Sequence, residues 1–189
     1  MVRDDSFYDR AMSPARRQAA GTRFTDPAVH WTAFMDDILV RCPTCDGLAH
    51  QVPEPATGFE GAALSTEQLR LAVRRVVCDR CGVVGIGASA GRGAGSGTDP
   101  GARSPYSSLP LWLQTPCCGH TLWAYNQDHL LLLRSWIGAT LRERGSTAHG
   151  ARTGGDRWES ETLVERLPEW MKLAKNRDQV IAAIDSLSG

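Results

Sequence analysis

Apolar positions in this chain come in short bursts separated by long polar or glycine-rich stretches. Residues 1–24 scatter Arg, Asp, Ala and Ser without a sustained period and read as a disordered N-terminal tail. At Asp26-Pro27 a helix can begin, with Asp as cap, Pro in the first turn, and Val29, Ala33 and Phe34 as a short apolar face. Ile38-Leu39-Val40 is a β-prone run leading into Cys42. Residues 50–63 carry enough Pro and Gly to predict a loop. Ser65 and Gln68 have capping-box spacing, which predicts a short helix from Thr66. Residues 71–77 fit either a helix or a strand, and the β-branched pair Val76-Val77 favours a strand next to Cys78.

Residues 87–108 are almost entirely small residues, Gly and Pro, and predict a flexible insertion. Pattern returns at LPLWLQTPCCGHTLWAYN, where two apolar, aromatic runs flank a Cys/Gly/His centre in the manner of a β-hairpin. Asn126 then caps a helix in which Leu130, Leu133, Ile137 and Leu141 recur at helical spacing, with Trp136 beside them. Running from Gln127 to Arg144 and stopped by Gly145, it would be about 27 Å long. Residues 146–157 read as a linker. Beyond them Pro168 suits a first turn, and Asn176 with Gln179 can cap a last helix bearing Val180, Ile181, Ile184 and Leu187. The organisation expected is a tail over 1–24, a domain over 25–145 with the 87–108 insertion, the linker, and a helical segment over 158–189.

Composition and charge narrow the function classes. Of 189 residues, 42% are apolar, enough for a core. Lys and Arg total 21, as do Asp and Glu, so the net charge is zero and no block of the chain is strongly basic. A DNA-coating surface is not expected on that balance, although Arg70, Arg74, Arg75 and Arg80 lie close together and could gather in a folded patch. No basic cluster followed by an apolar stretch opens the chain, and the longest aliphatic run is Leu130 to Leu133, so neither a secretory signal nor a membrane span is expected. The compartment expected is the cytosol, where paired cysteines more often bind metal than form disulfides.

Six cysteines carry the candidate chemistry. Cys42-Pro43-Thr44-Cys45 and Cys78-Asp79-Arg80-Cys81 are two C-x2-C pairs separated by 32 residues. The two-residue gap lets both thiolates of one turn face a single ion, and two such turns make the tetrahedral four-thiolate shell that Zn²⁺ prefers. Gly47 and Gly82, just past the pairs, can take positive φ and turn backbone N–H groups toward the sulfurs. Arg75 or Arg80 could offset the residual negative charge. Free structural thiols or two local disulfides are the alternatives. A redox C-x2-C would need a strand end opening a helix, which neither pair shows.

With ILVRCPTCDGLAHQV and RRVVCDRCGVVGIGA around them, the two pairs resemble the knuckles of the zinc-ribbon family, each at the tip of a β-hairpin. The likeness covers about 50 of the 189 residues, and it implies a role for zinc without implying a task. It carries Cys42, Cys45, Cys78 and Cys81 over as structural zinc ligands. The LPLWLQTPCCGHTLWAYN segment also resembles part of an uncharacterised bacterial zinc-ribbon group. The fold class expected is a small α+β zinc-ribbon β-hairpin domain with a long packing helix and a helical C-terminal tail.

A third centre, Cys117-Cys118-Gly119-His120, leaves three accounts open. Cys117 and Cys118 are packing thiols in a hairpin turn; or Cys117 and His120 bind a second ion with outside ligands such as His50 or a partner chain; or they replace one of the C-x2-C pairs. His30, His129 and His149 read as helix-surface or loop residues. Trp112, Trp123 and Tyr125 read as core aromatics covered by the following helix, with base stacking as the alternative. The glycine-rich run 85–97 lacks the G-x4-G-K-[ST] form of a phosphate loop. No Ser-His-Asp order, spaced carboxylate pair or open three-ligand metal site is visible, and a closed four-thiolate site is structural. The expectation is a non-enzymatic zinc protein that docks a protein partner. The alternative is a nucleic-acid-binding ribbon tied to transcription or replication; a third reading is thiol redox at Cys117-Cys118.

Overall fold

A computed structural model describes residues 23–54, 72–87, 102–143 and 162–188. The architecture is α+β. Strands β2 (Ile38–Arg41), β3 (Leu48–Pro53), β4 (Arg74–Cys78) and β5 (Gly82–Gly87) form an antiparallel sheet in that order. Strands β6 (Leu113–Cys117) and β7 (His120–Ala124) form a separate hairpin. Helix α1 (Gln127–Gly138) follows it. Strand β8 (Leu141–Glu143) then pairs in parallel with β1 (Arg23–Thr25). Two short helices, α2 (Glu169–Lys172) and α3 (Arg177–Leu187), end the chain.

Side-chain alternation sets which strand residues reach the core. In β4, Arg74, Val76 and Cys78 are buried while Arg75 and Val77 are half-buried on the other face. In β2, Ile38, Leu39 and Val40 are all buried, the pattern of a strand covered on both sides. Its free edge is stitched to the second hairpin: Leu39 N–H donates to Tyr125 O (2.7 Å), Trp112 N–H to Leu39 O (2.9 Å) and Arg41 N–H to Pro110 O (2.9 Å). Helix α1 lays Leu130, Leu133 and Ile137 into the core. Helix α3 packs on α1 and β6 through Val180 and Ile184, both fully buried, and Arg134 reaches Asp185 at 2.6 Å across the pair. The C-terminal segment therefore belongs to the same core.

Several expectations are corrected. Asp26 opens no α-helix. Its carboxylate accepts from Ala28 N–H (2.9 Å), where Ala28 takes φ +54°, and from Thr162 Oγ1 (2.8 Å). The chain forms only a 3₁₀ turn at Trp31–Phe34, capped by His30. His50 to Pro53 lie in β3 rather than a loop. The end of the expected insertion is packed: Ser104 and Tyr106 are buried. Helix α1 stops at Gly138, six residues early and about 18 Å long. Glycine is a poor helix former, and two arginines satisfy the last carbonyls: Arg142 reaches Trp136 O (3.0 Å) and Ile137 O (3.4 Å), and Arg177 donates to Gly138 O. Leu141 is consequently 56% exposed. Asn176 does not cap α3 by its side chain, which donates to Trp170 O (2.8 Å). The tail up to residue 22, the helix from Thr66, residues 88–101 and the linker at 146–157 lie outside the described residues. Among the described residues no helix is long and apolar enough to cross a membrane.

Candidate metal centre

The two C-x2-C pairs sit on the β2–β3 and β4–β5 turns. Because β3 and β4 are antiparallel neighbours, with Ala49 opposite Cys78, both turns lie at one end of the sheet. The first turn is closed by its own backbone. Cys42 N–H donates to Gly47 O (2.8 Å), Asp46 N–H to Cys42 O (2.9 Å) and Thr44 N–H to Cys42 Sγ (3.4 Å). Asp46, not Gly47, takes the positive φ, at +56°. Gly47 has a different reason to be glycine: a Cβ there would stand 3.3 Å from Cys45 Sγ. In the second turn Gly82 does take φ +74°, as expected, in a region that L side chains rarely occupy.

These turns bring the sulfurs of Cys42, Cys45, Cys78 and Cys81 within 4.8 Å of one another, and Cys45 Sγ is 3.6 Å from Cys78 Sγ. Four sulfurs at about 2.3 Å from a central ion would stand about 3.8 Å apart, so the cluster could hold a metal ion. The thiols cannot all ionise unaided. Burial works to raise Cys42, but the N–H groups of Thr44 and Cys45 and the neighbouring thiols outweigh it and bring it to about 7. Cys81 is pushed up to about 12, first by its hydrogen bond with Cys45, then by desolvation and by Cys78 and Cys42. A dication relieves that mutual opposition, which couples binding to proton release. Arg41, next to Cys42 in the chain, stands 3.3 Å from Asp46 Oδ2 and 5.2 Å from the Trp112 ring centre.

Comparison with protein-family models, with curated proteins and with solved structures gives no match.

The third centre does not join the cluster. Cys118 and Gly119 have φ of +52° and +78° between Cys117 and His120, the paired positive angles of a tight type I′ hairpin turn. Cys117 Sγ lies 3.6 Å from Cys118 Sγ, and Cys118 donates to Gln179 Oε1 at 3.1 Å. Burial, then its neighbour Cys118, raises the Cys117 thiol to about 11. His120 stacks on Trp170 (4.9 Å, 13°), and His50 pairs with Asp37 at 2.9 Å. Among the described residues the four-cysteine cluster is the one group of three or more such side chains placed to share an ion.

Of the four candidate arginines, Arg74 does not face solvent. Arg74 is fully buried, donating to Met35 O and to Gln51 O (3.5 Å), with its guanidinium 3.8 Å from the centre of the Tyr106 ring. Arg75 faces the opposite side of β4, and Arg80 is exposed at the turn tip. Arg70 lies outside the described residues. Of the aromatics, Tyr125 is buried, Trp112 half-buried and Trp123 36% exposed.

His129 is no surface residue. It is 4% exposed, stacked on Phe34 (5.0 Å), and its Nδ1 accepts from Tyr125 N–H (3.2 Å), which places the ring proton on Nε2. Burial lowers its pKa to about 3. The unfolded chain, titrating near 6.5, binds the proton first as pH falls. Stability from this group is complete above about 6.5 and is lost toward 3, at about 1.4 kcal/mol per pH unit. The stability difference between wild type and His129→Gln should therefore narrow by about 2 kcal/mol from pH 7 to pH 5 in urea unfolding; a constant difference would refute it. Taking the difference cancels the acid sensitivity of the thiolates.

Proposed function

We propose that Cys42, Cys45, Cys78 and Cys81 hold a structural Zn²⁺ as a zinc ribbon, and that the chain is a non-enzymatic module that docks a protein partner. The observation that carries this reading is the convergence of four sulfurs from two hairpin turns within 4.8 Å. An all-thiolate set suits a soft or borderline ion, and four protein ligands leave no coordination position for a substrate. The role of such an ion is to lock two turns together. Exposed apolar side chains, among them Trp123, Leu131 and Leu173, give a partner something to cover. The alternative, nucleic-acid binding, loses a central cation because Arg74 lies in the core.

The test combines metal content with fluorescence anisotropy of labelled single-stranded DNA over a range of salt. One zinc per chain in protein purified without added metal, with no salt-sensitive DNA binding, is the expected result. An affinity that falls steeply and linearly on a log–log salt plot would put the nucleic-acid reading first. Absence of zinc would overturn the ribbon itself.

A further inference from the structure

We infer that the cleft between the β6–β7 hairpin and the C-terminal segment is a binding site for an uncharged, flat heteroaromatic molecule whose ring nitrogen accepts a hydrogen bond from His129. None of the four clustered cysteines lines this cleft, so the inference does not rest on the zinc reading. The cavity is about 330 Å³, at the lower end of the roughly 300–1,000 Å³ usual for ligand pockets. That suits one bicyclic ring system rather than a dinucleotide.

The walls are rings. Trp31, Trp123, Tyr125, His129 and Trp170 line the cavity. Neighbours hold them in place before any ligand arrives. Trp123 packs against Tyr125 (5.0 Å) and edge-on to His129 (5.9 Å, 87°), and Trp170 is stacked on His120. Rings fixed in this way lose little freedom when another ring packs against them. Offset and edge-on contacts with a planar ligand then add to the area buried.

His129 supplies the polar contact. It is 4% exposed, with Phe34 stacked on one face (5.0 Å, 21°) and Nδ1 taken by Tyr125 N–H (3.2 Å). The ring proton is therefore on Nε2, where no group accepts it among the described residues. Burial is what lowers its pKa, to about 3, so the ring is an uncharged donor over the ordinary pH range. A donor on so buried a side chain meets little water, and an acceptor brought by a ligand gains a hydrogen bond there. The other polar groups of the wall favour an uncharged ligand. Burial first, then Tyr106, raises the Tyr125 phenol to about 12, which keeps it neutral. Arg166 is engaged within the protein, with its guanidinium 5.9 Å from the Trp31 ring centre. Among the described lining residues there is no carboxylate. A charged ligand of either sign would leave water for a wall of rings without a free counter-charge, which is costly.

The test uses four probes built on one bicyclic frame. Quinoline accepts through its ring nitrogen, naphthalene has no acceptor, N-methylquinolinium is a cation, and quinoline-3-carboxylate is an anion. The full-length protein, as purified, is titrated with each at neutral pH, and the tryptophan indole resonances are followed by NMR. Quinoline should bind about fivefold to tenfold more tightly than naphthalene, the worth of one hydrogen bond, and both charged probes should bind more weakly than quinoline. In the wild type the His129 Nε2–H proton should shift further downfield with quinoline than with naphthalene. His129→Phe keeps a ring but removes the donor, and should bring quinoline to the level of naphthalene. Trp123→Leu, at a partly exposed wall position, should weaken quinoline and naphthalene alike by at least about threefold. Equal affinities for quinoline and naphthalene, tightest binding by either charged probe, no saturable binding, an unmoved His129 proton, or a quinoline preference that survives His129→Phe would each overturn the inference.

Discussion

Replacing Cys78 with serine should abolish stoichiometric metal binding and lower the melting temperature by about 10 °C or more, a loss of at least about 4 kcal/mol. Cys78 is 1% exposed, closes β4, and sits opposite Ala49 of the neighbouring hairpin. Its sulfur is 3.6 Å from Cys45 Sγ and so lies at the junction of the two turns. Serine offers a hard, neutral hydroxyl where the ion needs a soft anion. The remaining three thiols then face each other without a cation, in a cluster whose members already oppose one another's ionisation. Structural zinc contributes about 10 kcal/mol or more in small domains, a sum comparable with the whole stability of a domain, about 5–15 kcal/mol. In this chain Cys42 and Cys78 share the buried core with α1, α3 and the β6–β7 hairpin, but those elements also pack on one another. The loss should therefore fall first on the turn end of the four-stranded sheet, and hydrogen exchange should show amides of β2–β5 opening ahead of those of α1.

Cys117→Ser is the paired measurement. Cys117 belongs to a type I′ turn and touches Cys118, so this variant should keep the metal. Full metal retention by Cys78→Ser, or metal loss by Cys117→Ser, would show that the cluster is not the ligand set. The same chelator that strips the wild type should leave the melting curve of Cys78→Ser unmoved, because there is no ion left to remove.

What was legible in the sequence was whatever depends on neighbours in the chain. The C-x2-C spacing announced two turns facing one centre, and the turns are there. The Cys/Gly/His centre between two apolar runs announced a β-hairpin, and Cys118-Gly119 make its turn. The β-branched residues before Cys78 announced β4. Asn126 announced its own helix start, and its side chain does accept from His129 N–H at 2.9 Å. What failed depends on partners far along the chain. Leu141 fits the stripe of α1, yet β8 exists because β1, more than a hundred residues earlier, offers it an edge. Tyr106 sits beside a run of glycines, yet Met35 and Arg74 give it a buried place, with its hydroxyl 2.9 Å from Met35 Sδ. The cleft gathers Trp31, His129 and Trp170 from segments with no common spacing, so no periodicity could have marked them.

Arg74 is the sharpest of these differences, and its replacement by alanine should cost about 3–5 kcal/mol. One guanidinium nitrogen donates to both Met35 O and Gln51 O, and the plane lies over Tyr106. Burial lowers its pKa, while Tyr106 and then Asp36 and Asp37 support the charge. Alanine would take the side-chain donor from Met35 O, at the end of the 3₁₀ turn, and from Gln51 O in β3, at about 1–3 kcal/mol for a buried group left unsatisfied, and leave a cavity under the ring. Arg74→Met refills the volume without the donors and should recover part of the loss. Arg74→Lys keeps the charge but replaces the planar fork by a compact ammonium, and should also fall short of the wild type. Urea unfolding of the three variants gives the order. Because the contact is internal, the loss should hold at high salt, where exposed ion pairs fade. A phosphate-binding arginine would behave in the opposite way: its alanine variant would unfold like the wild type and lose affinity for nucleic acid. Wild-type stability in Arg74→Ala would therefore move this side chain out of the core and restore it to the basic cluster that the sequence suggested.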